Sequence, residues 1–450
     1  MTIPLNATHD PAARSWVESA NQAATDFPIQ NLPLAIVRRA EGHDGHARGA
    51  AAIGDRVLDL AALSATGLLH GPAASACAAA AQPALNDYFA LGPAAWHALR
   101  HNLFALLRDE APEHVRQRVA ECLLPMDAVL HELPARIGNY TDFYTSIHHA
   151  LNVGRLIAPQ NPLTPNFQWL PIAYHGRASS VRVGAPGFGF HRPMGQAMPP
   201  GAEAPVYGAC ARLDFELEMG FFVGGGNALG RPIPLAEAEA HIAGLVLLND
   251  WSARDHQFWE MAPLGPFLGK NFCTTISPWV VSLEALAPYR VPFVRDAGDP
   301  QPLAYLDDPG QRAHGGLDIQ LDVRIDTARH REGGIDPSTI ARTSFRHQYW
   351  TPAQMVAQHT VGGCNLEPGD LIGTGTVSGP TPGEAGAIVE LSLGGRAPIT
   401  LPGTGEQRAF LEDGDTVILR GWCEGAGRAR IGFGECRGVV LSAIGPGGAD

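Results

Sequence analysis

From Leu213 to Met219 the chain alternates without a break. Leu213, Phe215, Leu217 and Met219 are apolar; Asp214, Glu216 and Glu218 between them are acidic. A period of two predicts a strand with one apolar face and one face carrying three carboxylates, continued by the apolar Gly220–Val223. Further strands are expected at Leu34–Val37, Arg56–Leu60, Gly244–Asn249, Leu317–Thr327, Ala387–Leu393, Thr416–Gly421 and Gly438–Leu441. Helical spacing places Tyr88, Phe89, Trp96, Leu99, Leu103, Leu106 and Leu107 on one side of a helix over Leu85–Leu107, and a shorter helix is expected over His114–Leu124. Thr351-Pro352 opens a helix to His359, with Thr351 as N-cap, and Ser252-Ala253-Arg254-Asp255 reads as a capping box opening a helix to Glu260. The alanine-rich Ala73–Ala84 fits helix or loop, Glu41–Gly49 is turn-rich, and the polar residues 1–25 are expected to be loosely held. No internal repeat is found. The pattern is that of a mainly β fold with some α.

Composition narrows this. At 450 residues the chain exceeds one ordinary core, and 52 glycines with 37 prolines favour many turns. The character changes near Ile137: before it reactive residues are scattered, after it acids, histidines, tyrosines and glycines come in dense blocks. A boundary is therefore expected at residue 134, with 1–134 a small domain and 135–450 the domain that carries the chemistry. A net charge of −13 argues against nucleic acid or an anionic membrane as partner. The seven cysteines are scattered, with no C-x-x-C pair, and fit reduced thiols. No signal peptide and no membrane span are read, so a cytoplasmic protein is expected.

The candidate chemistry lies in the blocks. Three acids on one strand face repel unless a cation sits there, and oxygen ligands select Ca2+ or Mg2+; a solvated acidic face is the alternative. Asp250 closes an apolar strand, and Arg254, Gln257 and Met261 follow at i, i+3 and i+7 spacing on one helix face. Lys270 is an isolated cation in an uncharged stretch, suited to an oxyanion. The surrounding Gly265–Asn271 fails as a P-loop, because the glycine spacing is one short and Asn271 stands where Ser or Thr belongs. Asp142 lies close to His148 and His149, one of which is a candidate general base, and nothing physical in the sequence chooses between them. Glu390, read as a strand residue, either orients a histidine or faces solvent. The glycine-rich Gly373–Gly379 brings Thr376 near a ligand or is merely a tight connection.

Together these blocks resemble the fumarylacetoacetate hydrolase family in its long two-domain form. The residues that carry the resemblance are Tyr140–Tyr144, His149, Asn152–Gly154, Tyr174–Ser180, Arg192–Gln196, Asp214–Met219, Asn249–Asp255, Pro263–Lys270, Gly363–Leu366, Gly375–Pro380, Ile431–Gly434 and, near the start, Asp26–Pro33. The resemblance implies an N-terminal SH3-like barrel, a larger C-terminal mixed β-sandwich roll and a homodimer. It implies hydrolysis of a carbon–carbon bond in a β-diketone acid, giving fumarate and acetoacetate at the end of tyrosine and phenylalanine breakdown. Carried over by motif, Asp142, Glu216, Glu218 and Asp250 hold Ca2+ or Mg2+, and a second, structural Mg2+ uses Asp250, Lys270 and Thr274. His149 is the general base oriented by Glu390. Arg254, Gln257 and Lys270 form the oxyanion hole, and Tyr144, Tyr174, Gln257 and Thr376 contact the substrate.

Two positions depart from the family pattern. Ala158 stands where the family has a substrate-binding arginine, and Met261 where it has a tyrosine. Arg155, three residues away, is a partial substitute for the lost charge. The departures leave open a related acylpyruvate or less polar diketone acid as substrate. A decarboxylase or isomerase of the wider superfamily is a second alternative. A binding protein without activity would be expected to lose the base or a metal ligand, and neither is lost.

Overall fold

The structure is a computed structural model and describes residues 3–40 and 45–445. Its centre is a seven-stranded sheet in the order Ile172–His175, Tyr140–Tyr144, Leu371–Gly373, Leu217–Val223, Ile242–Asp250, Thr274–Ile276, Val181–Val183. Leu217–Val223 and Ile242–Asp250 are buried along their whole length, which explains their nearly continuous apolar sequence: both faces of the sheet are covered. On one face Leu217, Met219, Phe221, Leu245 and Leu247 share a core with Leu321, Leu419, Ile431 and Phe433. Those four belong to a five-stranded sheet ordered Ser338–Ser344, Gln320–Asp326, Thr416–Gly425, Arg428–Leu441, Gly189–His191. On the other face Phe222, Val246, Leu248 and Leu371 pack with Phe89, Leu99 and Leu103, and the Phe89 and Phe222 rings lie 5.6 Å apart. The N-terminal part adds its own five-stranded sheet, ordered Leu123–Pro125, Arg56–Asp59, Arg48–Ile53, Leu34–Arg39, Val129–Glu132. The fold is mainly β with some α, as expected.

Several local expectations change. The Leu85–Leu107 helix is two, Asn86–Ala90 and Pro93–Leu107. Gly92 at φ 79° ends the first, and Pro93, unable to continue a helix, starts the second. The next helix is Glu113–Ala120, and Leu123–Pro125 is already strand. Residues 3–25 are well anchored rather than loose. Ser15 Oγ donates to the Leu107 carbonyl at 2.7 Å and Trp16 Nε1 to that of Leu106 at 3.0 Å. Such side-chain-to-backbone ties leave no mark in hydropathy. Of the turn-rich Glu41–Gly49, residues 41–44 lie outside the described residues. Farther on, Asn31 Nδ2 donates to the Gly432 carbonyl at 2.7 Å, and the Gly432 N–H donates to the Asp26 carbonyl at 2.8 Å, tying the N-terminal part to Arg428–Leu441. The helix Pro352–Thr360 forms with Thr351 as N-cap in a reciprocal capping box with Gln354. No described helix is long and apolar enough to cross a membrane.

Candidate active site

Four carboxylates meet at one end of the central sheet. Asp142, Glu216, Glu218 and Asp250 are all buried and each offers an oxygen within 4.8 Å of the others. The topology explains the convergence. Asp250 ends its strand, Glu218 lies near the start of its antiparallel neighbour, and Asp142 is paired with Gly373 in the next strand but one. Gly373 leaves the space the acids need, since a Cβ there would stand 2.5 Å from Asp142 Oδ1 and 3.1 Å from Glu218 Oε2. Gly375, at φ 78°, turns the following loop so that its N–H donates to Glu218 Oε2 at 3.0 Å.

This cluster is electrostatically incomplete. Burial, then the neighbouring carboxylates, push the Asp142 and Glu218 carboxyls well above their usual range. Asp142 Oδ1 and Glu218 Oε1 are buried with no hydrogen-bond partner among the described residues. Orphaned oxygens in an all-oxygen set of four acids fit a hard divalent cation.

Two side-chain cations hold the rim. Lys270 Nζ lies 2.5 Å from Glu216 Oε2 and 2.6 Å from Asp250 Oδ2. Burial disfavours its charge, but Asp250 and Glu216 outweigh burial and keep it protonated. A protonated ammonium has no lone pair, so the Lys270 side chain serves the acids as a counter-charge. Arg254 Nε donates to Asp214 Oδ2 at 2.8 Å, and its Nη1 reaches Glu216 Oε1 at 2.8 Å and Gln257 Oε1 at 3.2 Å. Arg254 Nη2 remains unpartnered. Burial raises the Glu216 carboxyl, yet Lys270 and Arg254 overcome it and hold the group well below the usual range. The Tyr174 hydroxyl donates to Asp250 Oδ2 at 2.7 Å and Thr274 Oγ1 to Asp250 Oδ1 at 3.2 Å.

The two candidate histidines separate cleanly. His149 is buried on the helix Ile147–Ile157, whose N-cap Ser146 accepts the His149 N–H. Its Nδ1 donates to Glu390 Oε2 at 2.7 Å, which leaves Nε2 as the free basic atom, 3.9 Å from Glu216 Oε1. Asn152 Nδ2 and Ser378 Oγ also donate to Glu390, and although burial raises that carboxyl, His149 and these donors bring it below the usual range. His148 is only half-buried and faces the His347 ring. The Tyr144 ring meets His149 edge-on at 5.4 Å, and buried Thr376 keeps an unpartnered hydroxyl.

Three expectations need correction here. Glu390 lies on the short helix Ile388–Leu391, not in a strand, because Asp214 accepts the Ile388 and Val389 N–H groups at 2.7 and 3.1 Å and so starts a turn. The strand expected through Leu213–Val223 breaks into Leu213–Asp214 and Leu217–Val223, since Asp214 Oδ1 and the Asn249 side chain take the Phe215 and Glu216 N–H groups. Ser252 forms no capping box: it pairs with Asp214 in a strand, and Arg254–Glu260 starts with no side-chain cap. Of the two departures, Met261 is the C-cap of that helix and 37% exposed, and Ala158 is the exposed C-cap of the helix bearing His149.

Sequence reasoning gave Asn152 and Ser378 no role of their own, and it read Asp214 with Glu216 and Glu218 as part of a cation-binding face. Asp214 looks like a third ligand acid, and only its contacts show that it clamps Arg254 and the Glu390 turn. Asp214→Ala strips Arg254 and the Phe215, Ile388 and Val389 N–H groups of their acceptor at once. It is expected to cost about 3–5 kcal/mol in urea unfolding. A loss below about 1 kcal/mol would show that the clamp is dispensable.

Comparison with known proteins agrees with this geometry. The family description "Fumarylacetoacetate (FAA) hydrolase C-terminal" matches residues 139–441 and "Fumarylacetoacetase N-terminal" matches 30–134. The chain is 47% identical over 429 residues to a fumarylacetoacetase of Homo sapiens, spanning 94% of this chain and 98% of that protein. It is 48% identical over 432 residues to one of Caenorhabditis elegans (93% and 97%) and 46% identical over 436 residues to one of Oryza sativa subsp. japonica (96% and 98%). On this evidence, with four acids and a histidine–carboxylate pair at one sheet end, the chain belongs to the fumarylacetoacetate hydrolase family.

Proposed function

We propose that the chain is a hydrolase of carbon–carbon bonds that splits 4-fumarylacetoacetate with water into fumarate and acetoacetate. The observation that carries the reading is the buried His149–Glu390 pair, whose free Nε2 faces the acid cluster. Asp142, Glu216, Glu218 and Asp250 would hold a divalent cation, Mg2+ or Ca2+, which when bound polarises the two oxygens of a β-diketone. A second, structural Mg2+ would use Asp250, Lys270 and Thr274. His149 Nε2 takes a proton from water as the water oxygen bonds to the carbonyl carbon. Glu390 fixes the tautomer and stabilises the imidazolium. Arg254, Gln257 and Lys270 meet the oxyanion, each donor of this type being worth about 3 kcal/mol. The carbon–carbon bond then breaks and His149 returns the proton to the departing carbon. Tyr144, Tyr174 and Thr376 line the substrate.

The family resemblance also supports a homodimer, and the scattered cysteines without a C-x-x-C pair support a cytoplasmic location. The break between the two family matches, at residues 134 and 139, supports the domain boundary at 134, and the resemblance implies an SH3-like barrel before it. Ala158 and Met261 favour a second reading, the same hydrolysis on a less polar diketone acid, because a charge and a phenol have become apolar groups.

The decisive assay follows the ultraviolet absorbance of fumarylacetoacetate with purified protein, with Mg2+ or Ca2+ and with EDTA. Fast, metal-dependent loss is expected. Intact substrate beside a folded, metal-loaded protein would overturn the reading and direct the assay to diketone acids with apolar tails.

A further inference from the structure

A second cluster of ligand-type side chains lies far from the acids, where the N-terminal helix Pro93–Leu107 packs on the body of the protein. His97 and His101 are four residues apart and so project from one helix face. Their rings lie tilted against each other with centroids 3.8 Å apart, and both turn a nitrogen toward the same carboxylate. His97 Nδ1 lies 3.1 and 3.2 Å from the two Glu284 oxygens, and His101 Nε2 lies 2.8 Å from Oε1. The three residues offer one ligand atom each within 4.8 Å of one another.

We propose that His97, His101 and Glu284 bind a divalent transition-metal ion of the zinc class, separately from the catalytic acids. Two imidazole nitrogens and one carboxylate oxygen form a donor set that zinc accepts and that magnesium and calcium do not favour. Glu284 is prepared as a ligand. Asn6 Nδ2 donates to Oε1 at 2.9 Å and a His9 ring nitrogen contacts the Glu284 carbonyl at 2.7 Å, so the residue is oriented from behind as metal ligands commonly are. The outer side is open: the His97 side chain is 56% exposed, which gives an ion a way in and leaves a position for water. A cavity of about 200 Å³ lined by His97, Tyr88, Arg100 and Glu284 adjoins the cluster. The Arg100 guanidinium donates to the Gln30 and Asn31 carbonyls, so these donors do not occupy the Glu284 oxygens. A bound ion would pin the helix to the segment carrying Glu284. The site is independent of the proposed hydrolysis.

The test uses the full-length protein in excess Mg2+, to occupy the catalytic acids, titrated with Co2+. One Co2+ per chain with visible d–d absorption is expected, displaced by Zn2+. His97→Gln/His101→Gln, and separately Glu284→Gln, should lose the absorption and weaken Zn2+ binding by more than about tenfold. Both variants should keep turnover in Mg2+. Zn2+ should raise the melting temperature of the wild type and not of the variants. Absorption or melting shifts that persist unchanged in the variants, or wild-type protein that binds no Co2+ under these conditions, would overturn the proposal.

Discussion

His149→Ala is expected to lower kcat by at least about 10³-fold, because it removes the only buried base that faces the acid cluster among the described residues. The fold should survive, since His149 contributes one side-chain bond to Glu390 and Asn152 and Ser378 still satisfy that carboxylate. Divalent-metal binding should also survive, because Asp142, Glu216, Glu218 and Asp250 are untouched. Single-turnover decay of fumarylacetoacetate, run beside a metal-binding titration, separates the outcomes. A variant that still turns over within tenfold of wild type would remove His149 from the chemistry. One that loses metal and activity together would make it a structural residue instead. Glu390→Gln should lie between: the amide can still hold the ring but presents either a donor or a neutral acceptor, so the tautomer is no longer fixed.

Asp142→Asn is the second large effect. It removes one of four acids from a set that, among the described residues, already carries unpartnered buried oxygens at Asp142 and Glu218. Metal affinity should fall by about 100-fold or more and activity should vanish at ordinary Mg2+ or Ca2+. Stability should respond differently with and without metal. In EDTA the wild-type cluster holds acids crowded together, with Lys270 and Arg254 as counter-charge, so the variant should be at least as stable as the wild type. With saturating metal the order should invert, because only the wild type gains binding free energy. Urea unfolding in EDTA and in excess Mg2+ reads both comparisons. A variant less stable than wild type in EDTA would show that Asp142 serves the fold before it serves a metal.

Burial and periodicity made much of this architecture legible in advance. The apolar runs Gly244–Asn249 and Thr416–Gly421 lie within long buried strands because their environment on both sides is hydrocarbon, and hydropathy records that directly. Motif resemblance carried the acids, His149 and the basic rim to positions that the fold brings together. What periodicity missed are groups whose behaviour depends on one distant partner. Ala387–Leu391 has an acid among apolar residues and fits strand or helix equally; Asp214, far away in sequence, decides it by accepting two N–H groups. His148 and His149 are indistinguishable until Glu390 binds one of them. The pairing of His101 with Glu284 crosses 183 residues and has no local signature.

The hydrogen bond from Asn31 to Gly432 spans 401 residues of sequence. Its consequence is one of timing. The strand Arg428–Leu441 lies inside its sheet, between Thr416–Gly425 and Gly189–His191, so that sheet cannot close until this strand has been synthesised. The segment around Asn31 waits as well, because its docking surface is that late strand. A nascent chain can therefore form the local hairpins and helices of its first third on the ribosome but cannot bury their outer apolar surface. Such long-range closure predicts slow refolding and an interval in which chaperones hold the exposed N-terminal layer.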